Sequence, residues 1–228
     1  DIPVEFFAFL DVTANSHVRE LVMDHCEMHD EVGLALASVL FENNNLTDLI
    51  VTNNHLAMKN GTLPQPWYEM LQGKNNHLRR LHLCYNRIQY PGIMKLFDHM
   101  SRNRSIVELK MDGNEMGRYT GTSHTEVVKF LSENNSVTYL SMCDMSLRDD
   151  LAVKIGEGLQ RNSKLKRLMA SSNEVTVRAV TEIAGFLSNN ETLEVLDLSC
   201  RAVQTNDEMY MQAYRTLIQQ TNLEQVII

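Results

Sequence analysis

The sequence predicts an α/β solenoid, a right-handed coil in which a short strand and a helix repeat along the chain. The pattern Leu-x-x-Leu-x-Leu-x-x-Asn is complete at Leu78, Leu81, Leu83 and Asn86. It returns every 28 to 32 residues, with first apolar positions at 18, 46, 78, 106, 137, 165, 193 and 223. A helix-period segment follows each strand. Near-equal spacing of this length is typical of stacked supersecondary units.

Each repeat begins with a predicted strand. Leu81 and Leu83 lie two positions apart, on the same face of an extended segment, and we expect that face to be buried. The slot three residues later falls where the chain turns, and a buried Asn there can bond backbone groups that lack a strand partner. From the first repeat to the seventh, the slot contains Cys26, Asn54, Asn86, Asn114, Met145, Asn173 and Arg201.

The segment after each strand has one apolar stripe. In the third repeat Ile93, Leu96, Phe97 and Met100 follow the i, i+3, i+4, i+7 spacing of an amphipathic helix. Because a helix separates consecutive strands, the strands must pair in parallel. We interpret the polar pairs after the helices as stops, since Asn tolerates left-handed backbone. These pairs are Asn43-Asn44, Asn75-Asn76, Asn134-Asn135 and Asn189-Asn190.

The segments LRRLHLCYNRI, LEVLDLSC, LSENNSV and LSNNETL resemble the ribonuclease-inhibitor subclass of leucine-rich repeats. The resemblance extends from Val18 to Ile228. It implies a horseshoe with a concave parallel sheet and convex helices. Cys26 is consistent with it, because the subclass alternates Cys and Asn in that slot.

We predict one repeat domain over residues 1–228. Residues 1–17 are interpreted as a partial repeat or a cap, since solenoids need polar caps at both ends. The eighth repeat stops at Ile228, so we expect the chain to be part of a longer protein.

Composition argues against several partners. The net charge of −8 disfavours nucleic acid, and no apolar run is long enough to span a membrane. Cys84 and Cys143 lie in one column two repeats apart, roughly 10 Å at about 4.8 Å per strand, which is too far for a disulfide. We therefore expect free thiols, a reducing compartment and a cytoplasmic protein. Sequons at Asn45, Asn60, Asn103, Asn134 and Asn190 are interpreted chiefly as structural residues of the junctions.

The sequence contains no P-loop, dinucleotide-binding glycine pattern or nucleophile elbow. The segment from His25 to His29 lacks the spacing of a zinc protease, and Cys26 occupies a packed slot. His82 and Cys84 share a strand, but a polar sheet surface explains them without catalysis. We predict no enzyme activity, no metal and no cofactor.

Two surfaces are candidates for binding a protein. The concave face carries Arg80, His82, Tyr85, Lys110, Tyr139, Arg167 and Met169. Two repeats longer than 28 residues carry loops with Trp67, Arg118 and Tyr119. Tyr and Arg are enriched at binding hot spots. The alternatives stay open at this point: the concave residues as ordinary solvated sheet, and Trp67 as a packing anchor.

We therefore predict a non-enzymatic scaffold for protein–protein interaction. The resemblance favours a cytoskeletal or ciliary assembly. It also admits two alternatives, a regulator of a small GTPase similar to the Ran-specific activator, and an actin pointed-end cap of tropomodulin type. No diagnostic residues of either were found.

Overall fold

A computed structural model describes residues 17–74, 77–116, 123–199 and 208–227. Within these ranges strands and helices alternate, as predicted. The strands are β1 Glu20–Val22, β2 Asp48–Ile50, β3 Arg80–His82, β4 Glu108–Lys110, β5 Tyr139–Ser141, β6 Arg167–Met169, β7 Val195–Asp197 and β8 Gln225–Ile227. The helices are α1 Asp30–Glu42, α2 Gln65–Glu69, α3 Tyr90–Met100, α4 Thr125–Glu133, α5 Asp149–Leu159, α6 Val177–Leu187 and α7 Glu208–Gln220. A π-helical turn, Met70–Lys74, continues α2.

All eight strands form one parallel sheet in chain order. The register pairs the central residue of each strand with that of the next, for example Leu81 with Leu109 and Leu109 with Leu140. These leucines are fully buried and point toward the helices. The spacing of the sequence motif therefore sets the register, and the predicted β-α solenoid is confirmed.

The helices cover the other side of the core with the predicted stripes. Ile93, Leu96, Phe97 and Met100 of α3 are all buried. Phe97 stacks on Phe130 of α4 with ring centroids 4.9 Å apart. Consecutive helices from α1 to α7 pack on one another in the same way along the solenoid.

The Asn slot forms a ladder of buried side-chain hydrogen bonds. Asn114 Nδ2 donates to the carbonyl oxygens of Leu83 (2.9 Å) and Met111 (2.8 Å). Its Oδ1 accepts from the backbone N–H groups of Asn86 (3.1 Å) and Ile88 (2.9 Å). Asn54 and Asn173 bond the first and fifth repeats in the same way. The predicted role of Asn in the turn is confirmed.

Odd and even repeats differ in this ladder. In the first, third and fifth repeats left-handed residues lie on both sides of the slot, as Tyr85 and Arg87 do around Asn86. Alternating backbone of this kind makes a concave nest of N–H groups, and the Asn of the next repeat fills it. In the second, fourth and sixth repeats only the residue before the slot is left-handed at this turn. In the fourth repeat the N–H group of Glu115 instead donates to the Ile88 carbonyl.

This difference explains which slots tolerate other residues. The fourth repeat has no nest beside Asn114, so the slot of the fifth repeat has no nest to fill and contains Met145. Asn86 also lies in an odd slot. Its Nδ2 donates to the Val51 and Cys84 carbonyls, but its buried Oδ1 has no partner among the described residues.

The interpretation of the polar pairs as left-handed helix stops was wrong. Asn43 and Asn134, the C-caps of α1 and α4, are extended. They act through their side chains: Asn134 Oδ1 accepts from the N–H groups of Ser136 and Val137, and its Nδ2 donates to the Met100 carbonyl. The pair at 75–76 lies outside the described residues.

The asparagines at the helix-to-strand junctions form a second ladder of hydrogen bonds, and three of the predicted structural sequons belong to it. Asn103, Asn134 and Asn190 are buried and bond the backbone that enters the following strand. In the first junction Asn43, and not the sequon residue Asn45, plays this part. Asn60 lies in an exposed loop and bonds Thr62.

We predict that the two slots contribute unequally to stability. Asn114→Leu should lower the free energy of unfolding by roughly 3 kcal/mol, because four buried backbone groups lose their partners. Asn86→Leu should cost about 1 kcal/mol, because it also removes an acceptor that has no partner. Urea unfolding of both variants measures the difference. Equal losses would contradict the odd–even assignment.

Candidate protein-binding surface

The sheet face turned away from the helices carries two columns of outward side chains, and we call it the concave face. The first column contains Glu20, Asp48, Arg80, Glu108, Tyr139, Arg167, Val195 and Gln225. The second contains Val22, Ile50, His82, Lys110, Ser141, Met169, Asp197 and Ile227. The register therefore brings together six of the seven predicted concave residues, all on β3 to β6.

The cations at the β3–β4 end of this group are already paired. The Arg80 guanidinium forms an ion pair with Asp48, and its hydrogen bond lowers the pKa of that carboxyl. Glu108 Oε1 lies 2.8 Å from His82 Nε2 and 3.1 Å from Lys110 Nζ. Burial is the main cause that lowers the pKa of His82, since desolvation disfavours its charged form. These charges stiffen the face more than they attract a partner.

The β5–β6 end is different. Arg167 is exposed and has no ion pair with another described residue. Beside it, Tyr139 and Met169 are half-buried, and Lys110 Nζ lies 5.3 Å from the centroid of the Tyr139 ring. A free guanidinium next to an aromatic ring and a flexible thioether makes a surface that suits protein recognition.

Tyr85 does not lie on a strand, as the sequence analysis placed it. Its φ is 54°, so the chain has already turned, and the side chain is 48 % exposed. The ring lies over Gly113, where a Cβ atom would come 2.0 Å from Tyr85 Cε1. Gly113 itself has φ +67°. Glycine suits this left-handed backbone, and the position of the Tyr85 ring leaves no room for a side chain at 113.

A polar cavity of about 340 Å³ opens beside Tyr85, past the ends of the first strands. It is lined by His25, Asn53, Asn54, His55, Tyr85, Arg87 and Gly113. Sequence analysis did not find this site, because it treated these positions as one more column of the sheet. The residues before the slot, at 25, 53, 85, 113, 144 and 172, all have positive φ. A column rich in His, Asn, Asp, Ser and Gly was the available signal.

Trp67 is not a surface anchor. It is fully buried, and its Nε1 donates a hydrogen bond of 2.9 Å to the Gly33 carbonyl. The expected extended loop also ends earlier, because α2 begins at Gln65 and places Pro66 in its first turn, where a missing N–H costs nothing. The loop residues Arg118 and Tyr119 lie outside the described residues.

The described ranges contain no group of three or more His, Cys, Asp or Glu side chains arranged to bind a metal ion. Cys26, Cys84 and Cys143 are free thiols, and burial raises the pKa of Cys84 to about 12. None of the described helices combines the length and apolarity that a membrane span requires.

The family model described as Leucine Rich repeat matches residues 14–37 and 74–97. Both segments contain the strand and turn of an odd repeat. The chain contains leucine-rich repeats.

Solved structures similar to this leucine-rich repeat protein include three repeat domains. They are the actin-binding site 2 of leiomodin-1 (18 % identity, 57 % of this chain and 75 % of that one, TM-score 0.47) and the tropomodulin C-terminal domain of Caenorhabditis elegans (12 %, 83 % and 93 %, 0.48). The third is internalin C2 of Listeria monocytogenes (16 %, 93 % and 76 %, 0.48).

The burial of Trp67 predicts its fluorescence. Trp67 is the only tryptophan of the leucine-rich repeat protein. We expect emission typical of an apolar environment and little quenching by acrylamide in the native state, with both properties changing on unfolding in urea. Strong acrylamide quenching of the native protein would mean that the ring is exposed and available to a partner.

The contact between Tyr85 and Gly113 predicts a local effect of Gly113→Ala. The new methyl group should displace the Tyr85 ring, and the left-handed backbone should cost about 1–2 kcal/mol of unfolding free energy. NMR of the tyrosine ring signals and urea unfolding measure the two effects. Gly185→Ala in α6 is the control: nothing lies within 4 Å of its Cβ position, so it should stabilise the helix slightly. Equal behaviour of the two variants would contradict the assignment.

Proposed function

We propose that the leucine-rich repeat protein is a non-enzymatic scaffold that binds a protein partner on the concave face. The observation that carries the proposal is the group formed by exposed Arg167 and half-buried Tyr139 and Met169 on adjacent strands. Each side chain is of a type that supplies much of the energy of protein interfaces.

Rigidity supports this role. The backbone of β5 is hydrogen-bonded to strands on both sides, and the Asn ladder fixes the turn that follows. A surface that is already ordered loses little conformational entropy when a partner binds. The same argument applies to the Tyr139 ring, which has only two rotatable bonds and is half-buried.

The chemistry of the face favours one kind of partner segment. A carboxylate on the partner would pair with Arg167, for which the fork geometry of guanidinium is suited. An apolar side chain one or two positions away would cover Tyr139 and Met169. Arg80 and Lys110 are neutralised by Asp48 and Glu108, so they position the segment less strongly.

The finer proposal places this scaffold in a cytoskeletal or ciliary assembly. It rests on the resemblance to a subclass that includes such proteins. The alternatives, activation of a small GTPase and capping of actin filaments, are tested directly by GTP-hydrolysis rates and by cosedimentation with actin filaments.

The proposal predicts that Arg167→Glu weakens partner binding. Reversing the charge should repel the partner's carboxylate and lower the recovery of specific partners by about tenfold. The experiment is affinity purification from cell extract with quantitative mass spectrometry, followed by titration of each recovered partner in purified form.

Arg161→Glu is the matched control. Arg161 is also exposed, but it lies just after α5, on the helical side. Partners lost with Arg167→Glu and kept with Arg161→Glu bind the concave face. Partners that bind both variants as tightly as the unmodified protein would contradict the proposed site and leave the helices or the long loops as the binding surface.

A further inference from the structure

The cavity beside Tyr85 is lined on several sides by nitrogen-bearing side chains. His25 and His55 come from the turns after β1 and β2, and Arg87 comes from the turn after β3. Arg87 is exposed and forms no ion pair with another described residue. The ring centroids of His29 and His55 lie 5.4 Å apart, so His29 places a third imidazole next to the lining residue His55.

Asp24, in the turn after β1, already accepts hydrogen bonds from neighbouring side chains. Asp24 Oδ1 accepts hydrogen bonds from Thr52 Oγ1 (2.6 Å) and Asn53 Nδ2 (2.9 Å), and His25 Nδ1 lies 3.2 Å away. These bonds, that of Thr52 first, lower the pKa of Asp24 to about 2. Asp24 is engaged by these three neighbours and forms no ion pair with Arg87.

The charges that act on His55 also favour an anion in the cavity. Burial is the largest cause that lowers the pKa of His55, and the positive charges of Arg87 and His29 lower it further. Glu27 acts in the opposite direction and is the smallest of the four causes. An anion between Arg87 and His55 would relieve this repulsion.

The walls of the cavity are fixed before any ligand binds. The Asn54 side chain is held by four hydrogen bonds to the backbone of its own and the preceding repeat. The Tyr85 ring rests on Gly113, and Arg87 projects from backbone with φ 59° that the Asn114 ladder holds in place. Because the backbone that carries Arg87 and the histidines is already ordered, binding a charged group costs only the ordering of their side chains.

We propose that this cavity binds an anionic group, a carboxylate or a phosphate, with Arg87 as the principal ligand and His25 and His55 as hydrogen-bond partners. The proposal goes beyond the concave-face function, because the cavity would bind a small anion even if the concave face had no partner. Its position at the end of the first strands places it beyond the columns that contain Arg167.

The test is a titration of the protein with inorganic phosphate and, separately, with acetate, at constant ionic strength and neutral pH. Side-chain NMR should show saturable shifts of the His25 and His55 signals. The pKa of His55 should also rise with phosphate present, since an anion and a proton that stabilise each other are reciprocally linked. Tighter phosphate binding would indicate a phosphorylated partner, and equal binding of acetate an acidic side chain.

Arg87→Gln should weaken phosphate binding about tenfold, as expected for loss of a charge-assisted hydrogen bond. Arg161→Gln removes the same charge at a distant site and should leave the affinity unchanged. Thermal melting confirms that each variant is folded, and His55→Gln gives a second, independent loss of affinity. Shifts that do not saturate, or an affinity unchanged in Arg87→Gln, would overturn the proposal.

Discussion

The structure depends on how it satisfies the backbone where each short strand ends. A strand of three residues pairs few of its own N–H and C=O groups, and the turn that follows lies next to the core, where unpaired groups are costly. Buried asparagines solve this at both ends of the repeat. Asn114 bonds four backbone groups across two repeats, and Asn134 does the same where the chain enters the next strand.

This constraint also shapes the surfaces. The nest in odd repeats needs left-handed residues on both sides of the slot. Side chains such as Tyr85 and Arg87 therefore leave the chain beyond the carboxyl end of the strand. The columns of the concave face stop before them. One surface is therefore a regular grid set by strand register, and the other is a cavity set by turn conformation. They differ in chemistry because they arise from different parts of the repeat.

The strand register and the turn conformation were not equally predictable from the sequence. The leucine spacing predicted the strands, because side chains two apart must share a face, and the helices between the strands predicted their parallel order. The Asn slot predicted a hydrogen-bonded turn. Neither could predict the burial of Trp67, which depends on a tertiary contact with Gly33, or the cavity, which depends on φ values that change between odd and even repeats. The sequence also contained no signal that Asn43 and Asn134 have extended backbone. Their side chains, and not a left-handed backbone conformation, satisfy the chain after the helix.

Charge pairing finally separates the candidate binding residues into two groups. Arg80, His82 and Lys110 face carboxylates of the same sheet, so a partner that used them would first have to displace Asp48 or Glu108. Arg167 and Arg87 have no such competitor among the described residues. In a chain with a net charge of −8, cations without a local counter-ion are the ones whose free energy falls most when an anionic group arrives. An acidic protein can therefore recognise acidic groups, because local ion pairing and not net charge decides which cationic side chains are available to bind them.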